Sequence, residues 1–542
     1  MAPASTGTPG AGRGGDALTG SVLLRRVRLV PVDDGGAAPG EPVDLRITDG
    51  TVTAVAPALG RLPGEEEIDA DGRWAVPGLW DQHVHLTQWA QTLTRLDVSA
   101  ARSAAEALEL LAAHLAAVPP AGHAPVREEP VLAYGFRHAT WADRPTLSAL
   151  DAVAGGRPVV LLSGDVHSGW VSTRARTLLG LPVPSGADVA DDDGLVRENE
   201  WFAALGRLAE LPGPDPAEGL REAMRHAAAR GVVGVTDMEW ARNELDWPGR
   251  VAAGLDLLRI RTATYADHLD AVLAAGLRTG DPLPGGRGLL TMGPLKVISD
   301  GSLNTATAHT LHAYAHPHDA AHPHGVQNVP AGELAELARR ATAGGLEVAI
   351  HAIGDAAVAI ALDAIEAAGA RGSVEHAQLL APDQPARFAR LGVVASVQPA
   401  HLLDDRDVSE RTWPGSGARS FPLRSLLDAG ARLAFGSDAP VAPLDPWLAM
   451  AAAVHRSGDE REPWHPEQQI SAAEALAAST GGAGTLRPGS RGDVVLLDAD
   501  PLAPPRPPGG AGAAGTSAAV AAHLRATPVA ATFVAGRATH PL

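Results

Sequence analysis

Four histidines, one aspartate and one lysine in this chain are of types that bind metal ions or move protons. Each lies in or directly after its own short apolar run. His83-Val84-His85 is a His-x-His. In extended chain, positions two apart face the same way, so both imidazoles can reach one ion while Val84 turns aside. His351 follows the apolar run 346–350, His376 follows 372–375, and Asp438 follows 433–437. Lys296 is the one lysine among 44 basic residues, the others being arginine. Arginine stays protonated and does not ligate metals, whereas a desolvated lysine can lose its proton. The exception falls in residues 293–302, a short apolar run that ends in a turn. Together the six read as a single metal site. The sequence contains no cysteine, so the ligands are confined to His, carboxylate or modified Lys.

A shared site needs strands that deliver these side chains to one place. Apolar strand-like runs at 75–79, 232–237, 259–265, 295–299, 346–350, 372–375, 393–397 and 432–435 alternate with helical stretches. Ala/Leu-rich helices at 331–343, 356–368 and 382–391 separate the later runs. Eight such units predict an α/β fold, a (β/α)8 TIM-like barrel over 77–486. Functional groups of such barrels sit at the C-terminal strand ends, where the candidate ligands fall. The stretch 86–230 is too long for one βα unit. It predicts an inserted subdomain after barrel strand 1, over the barrel mouth and rich in helix at 100–118 and 217–230. Residues 21–76 and 487–542 are β-rich, with Asp49-Gly50 as a tight-turn signal. They predict one small β domain formed from both termini. Residues 1–20 read as a disordered tail and 501–515 as a mobile Pro/Gly/Ala loop.

With 542 residues, 45% of them hydrophobic, the chain can bury a large core and hold more than one domain. A net charge of −19 argues against nucleic acid or an anionic membrane as partner. The N-terminal stretch lacks the apolar segment of a signal peptide, and no run approaches 18 apolar residues. A cytoplasmic enzyme acting on a small molecule is the default expectation.

Several stretches carry a family resemblance. They are Pro77-Gly78-Leu79-Trp80-Asp81-Gln82-His83-Val84-His85, Asp165-Val166-His167-Ser168-Gly169-Trp170, Lys296 through Thr305, and His351-Ala352-Ile353-Gly354-Asp355. Glu375-His376-Ala377-Gln378, Gln398-Pro399, Gly436-Ser437-Asp438-Ala439-Pro440 and Gly492-Asp493-Val494 complete the set. The chain from about residue 21 onward resembles the amidohydrolase superfamily, most of all its N-substituted formamide deformylases and related metal-dependent hydrolases. The resemblance implies that His83 and His85 bind a more buried ion with Asp438, and that His351 and His376 bind a second. It implies that Lys296, as a carbamate, bridges the two. Nitrogen and oxygen ligands suit two Zn²⁺ per chain; Mn²⁺, Fe²⁺, Co²⁺ or Ni²⁺ fit the same donors, and a one-metal version uses fewer of them.

The expected reaction is hydrolysis of a non-peptide C–N bond, amide or formamide, through a metal-bound hydroxide, with Asp438 as general base and then general acid. An esterase, lactonase or phosphotriesterase on the same site is the alternative, and a non-catalytic scaffold the third reading. His167, Trp170, Asp300 and Gln378 are candidates to line the substrate pocket; turn and packing roles compete for each. His309, His312, His316, His318, His322 and His324 crowd the loop 309–324, where a solvated loop is the simpler reading than a surface metal site. A homodimer is suggested only by the resemblance.

Overall fold

The computed structural model describes residues 20–33, 40–93, 95–117, 130–184, 192–211, 216–317, 319–503 and 516–542. Apart from Gly20, the expected N-terminal tail lies outside them, as do residues 504–515 of the expected C-terminal loop.

Eight parallel strands form the central sheet: β1 (Leu79–Val84), β2 (Val232–Asp237), β3 (Arg259–Thr264), β4 (Leu290–Ile298), β5 (Val348–Ala352), β6 (Gly372–His376), β7 (Val394–Val397) and β8 (Arg432–Phe435). They pair in sequence order from β1 to β8. The ends meet beyond β8: Asp438 N–H donates to the His83 carbonyl at 2.7 Å, and His85 N–H to the Ala439 carbonyl at 2.9 Å. A Cβ on Gly436 would lie 2.7 Å from the His83 nitrogen, so closure needs glycine there. This is an α/β TIM-like barrel. The strands are buried on both faces, which is why they read as continuous apolar runs and not as alternating ones.

The surrounding helices show the complementary pattern. In Ala331–Ala343, Leu334, Leu337, Ala338 and Ala341 form one buried stripe at helical spacing. The helix Asp355–Ala368 is rich in alanine and ends at Gly369, whose φ of 56° supplies the left-handed cap.

Both chain ends contribute to a second sheet. Its order is Arg537–His540, Val529–Val534, Val494–Leu497, Trp74–Pro77, Ser21–Leu29, Val43–Thr48, Thr51–Ala56, with Glu66–Asp69 paired to Ser21–Leu29. Asp49 and Gly50 take φ of 46° and 76° at the hairpin between two of these strands.

Two expectations need correction. The run 75–79 is not the first barrel strand: Trp74–Pro77 belongs to the terminal sheet, and β1 starts at Leu79. One apolar run thus serves two sheets, and its chain pattern carries no mark of the switch. The stretch 86–230 is also less purely helical than expected. It holds a five-stranded mixed sheet of Leu96–Asp97, Val131–Phe136, Val159–Ser163, Ser168–Val171 and Leu195–Arg197. These strands are two to six residues long, and short buried runs have no periodicity that separates strand from helix. The helix Pro216–Ala228, expected in the insertion, packs Leu220, Ala223, Met224 and Ala227 into the barrel's own core.

Candidate metal centre

The C-terminal ends of the barrel strands open into a cavity of about 750 Å³. His83, His85, Lys296, His351, His376 and Asp438 all line it. Register explains part of the convergence. Ile298 of β4 pairs with His351 of β5, His351 with Glu375 of β6, and Ala352 with His376. The His351 and His376 rings are 4.5 Å apart as a result. His376 and Asp438 have φ of 71° and 55°, conformations in which non-glycine side chains are strained.

His83 has the best defined geometry. Its Nδ1 lies 2.8 Å from Glu375 Oε2, so Nδ1–H donates to the carboxylate and Nε2 keeps its lone pair. Nε2 faces Lys296 Nζ at 3.1 Å and Asp438 Oδ1 at 3.5 Å. Burial, reinforced by the Lys296 charge, lowers the His83 pKa to about 4 and keeps the ring neutral. Burial alone would raise Glu375, but its bond to His83 outweighs this and keeps it ionised. The Ser373 hydroxyl donates to its other oxygen.

Around Asp438 the histidines crowd in. His85 Nε2 is 3.4 Å from Asp438 Oδ1. Donor atoms of His83, His376 and Asp438 lie within 4.8 Å of one another. Burial disfavours the Asp438 carboxylate, yet His83, His85 and His376 hold its pKa well below the usual range. Among the described residues, the buried Nδ1 atoms of His85 and His376 have no hydrogen-bond partner. Lys296 is 2% exposed and has no carboxylate within ion-pair distance among the described residues. Burial lowers its pKa, although Glu375 and Asp438 pull the other way. Clustered imidazoles, an ionised carboxylate and a buried amine form a donor set that fits a divalent metal.

The four candidate pocket residues separate. His167 lines the cavity, its Nδ1 3.2 Å from Glu198 Oε2. Burial opposes its protonation, but Glu198 outweighs burial and lifts the pKa to about 9. Gln378 also lines the cavity and donates through Nε2 to Asp405 Oδ2 at 2.8 Å. Trp170 does not: it is fully buried in the insertion core, and its Nε1 donates to the Thr146 carbonyl at 3.2 Å. Asp300 is likewise off the cavity wall. It accepts from the backbone amides of His309, Ile353 and Gly354, and sits 3.3 Å from His351 Nε2. Its hydrogen bonds hold the loops after β4 and β5 together.

Sequence reasoning passed over Glu375, Asp81, His401 and Asp405. Asp81 accepts from the backbone amides of His83 and Ser437, and burial raises its pKa to about 7. Asp405 lines the cavity between Gln378 and Asn304, with its pKa raised by burial to about 6. For Glu375 a signal existed, a carboxylate inside an apolar strand and next to a candidate ligand. In the loop 309–324 no three histidines converge among the described residues: His309 and His324 bind backbone carbonyls, and His318 lies outside the described residues.

A family model described as the amidohydrolase family matches residues 66–539. The chain is 29% identical over 491 residues to the N-substituted formamide deformylase of Arthrobacter pascens, covering 84% of this chain and 88% of that protein. It is 29% identical over 483 residues to Protein LONG AFTER FAR-RED 3 of Arabidopsis thaliana, covering 80% and 79%. An uncharacterized metal-dependent hydrolase from Pyrococcus furiosus superposes with a TM-score of 0.70 at 26% identity, covering 89% of this chain and all of that one. With the match covering residues 66–539, the whole barrel included, and the barrel-end cluster in place, the chain belongs to the amidohydrolase family.

Proposed function

We propose that the protein hydrolyses a non-peptide C–N bond, an amide or formamide, of a small molecule. The observation that carries this reading is the buried cluster in which His83 Nε2 faces both Lys296 Nζ and Asp438 Oδ1. His83, His85 and Asp438 would hold one divalent ion, His351 and His376 a second, with zinc the fitting metal. Lys296 Nζ would add carbon dioxide with loss of one proton, giving an anionic carbamate shared between them. When bound, such ions polarise a carbonyl and acidify water.

The protein's own groups supply the rest. Asp438, kept ionised by its histidines, takes the proton of the attacking water on a carboxylate oxygen and later returns it to the leaving amine. Glu375 holds His83 in the tautomer that leaves Nε2 free. The insertion roofs the site through Leu162, His167 and Phe202, limiting access of bulk water. The relative named as an N-substituted formamide deformylase supports the choice of bond. The reading places the protein in the cytoplasm, with neither nucleic acid nor membrane as partner.

Metal content per chain, measured on protein purified without chelator, tests this together with a formamide and amide screen. Near two ions in the wild type, falling sharply in Lys296→Ala, is expected. One ion in both proteins would remove Lys296 from the site, and no turnover of any amide or formamide by metal-loaded protein would overturn the assigned reaction.

A further inference from the structure

Charged groups around the cavity are mostly matched. His167 pairs with Glu198, and Arg137 with Asp404. One wall differs. The helix Leu86–Thr92 follows β1 and presents Thr87, Gln88 and Gln91 to the cavity. Arg250 donates to Thr87 Oγ1 at 3.2 Å and lies over the Trp247 ring at 5.0 Å. Arg95, just past the helix, donates to Gln91 Oε1 at 2.6 Å. Thr87 and Gln91 are four residues apart, neighbours on one helix face. Two guanidiniums therefore hang from one face, and both line the cavity.

Among the described residues neither has a carboxylate within ion-pair distance. The acids on this side make their hydrogen bonds to other groups, although Asp237 lies near enough to Arg250 to feel its charge, which leaves Arg95 as the arginine without an acid beside it among the described residues. Glu239 accepts from Gln88 through its backbone amide at 3.0 Å and its side-chain amide at 2.9 Å. Asp237 accepts from Trp247 Nε1 at 2.8 Å and from the amides of Leu86 and Glu239. Burial lowers the Arg95 pKa to about 10, with no acid opposing it. In a chain with 63 acids and 44 bases, ion-pair partners are abundant, so the lack of one here stands out. A partly desolvated guanidinium without an anion is costly, and its planar fork of donors matches a carboxylate in two parallel bonds.

We infer that Arg95, with Arg250 one helical turn away, binds a carboxylate that the substrate carries at a distance from the bond to be cleaved. The inference rests on the hydrolase reading only in placing that bond at the His83–Asp438 cluster. It narrows the substrate class to N-acyl or N-formyl compounds with a distal carboxylate, in preference to neutral alkyl or aryl amides.

Two measurements on the full-length, metal-loaded protein test it. The first compares kcat/KM for ω-formamido carboxylates of two to six methylenes with N-alkylformamides of matching length. At the best length the carboxylate is preferred about 10- to 100-fold, the range of a charge-assisted pair. Arg95→Gln brings that ratio near one, Arg95→Lys keeps part of it, and Arg250→Gln lowers it. The second compares calorimetric binding of glutarate, adipate and suberate with that of the corresponding monocarboxylates. One carboxylate can occupy the metal cluster in both sets, so the gain from the second reports the arginine wall. That gain is present in the wild type and absent in Arg95→Gln. A neutral preference in the wild type, or a ratio unchanged in Arg95→Gln, would overturn the inference. An Arg95-dependent gain in binding without any turnover would support the carboxylate site and overturn the hydrolase reading instead.

Discussion

At the floor of the cavity, His83, Lys296, His351, His376 and Asp438 come from five barrel strands or their immediate ends, and all five are buried. The upper wall comes from the insertion and from the stretch after β1, where Arg95, Arg137 and His167 are only partly buried. The floor groups are cross-braced: Glu375 fixes His83, while Asp81 grips the backbone on both sides of the barrel closure. The wall groups lean on one or two partners each, such as Gln91 for Arg95 and Glu198 for His167. Rigid strands set reacting atoms to within fractions of an ångström, whereas shorter elements can change without unmaking the barrel. On the proposed reading, the contrast assigns chemistry to the floor and selection to the wall.

Substitutions at the floor should then cost far more than those at the wall. Asp438→Asn removes the proposed proton carrier, and we expect turnover to fall by about 10²- to 10⁴-fold, with the circular dichroism spectrum and thermal midpoint retained. Near-wild-type turnover in that protein would dissolve the distinction. Glu375→Gln leaves the ligands in place but loosens His83. Metal affinity should drop by about 10- to 100-fold in chelator competition, and an unchanged affinity would reduce Glu375 to a packing role.

The smallest effect belongs to the wall. His167 is held up to about 9 against an ordinary 6.5, so its stabilising contribution is complete below about 6.5 and lost as pH rises through 9. The wild type should lose about 1 kcal/mol across that window relative to Glu198→Gln, read from urea midpoints at a series of pH values. Parallel curves for the two proteins would remove the pair from the balance.

The same division governs how much was legible in the sequence. The strands β2 and β8 appear in the sequence with their observed bounds, β2 because a strand buried on both faces reads as a nearly uninterrupted apolar run. His351, His376 and Asp438 stood out because each closes such a run, His83 and His85 by their spacing, and Lys296 as the one lysine. The insertion's sheet did not, since strands as short as Leu96–Asp97 carry no period. Trp170 was a pocket candidate because it lies in the insertion just after an apolar run, yet it sits in the strand Ser168–Val171 with its ring in the insertion core. Arg95 escaped notice for a different reason. It is one arginine among many, and only its place beside Gln91, with no acid in ion-pair reach among the described residues, distinguishes it.

The solitary lysine has a practical consequence. Side-chain carbamates form on amines, and Lys296 is the one side-chain amine in the sequence. Protein equilibrated with ¹³C-labelled carbon dioxide should therefore give one side-chain carbamate resonance, assignable without mutagenesis. Amine-directed coupling to a surface or dye has no exposed lysine to use, so an Arg→Lys exchange on the surface would add one chosen side-chain position beside the α-amino group.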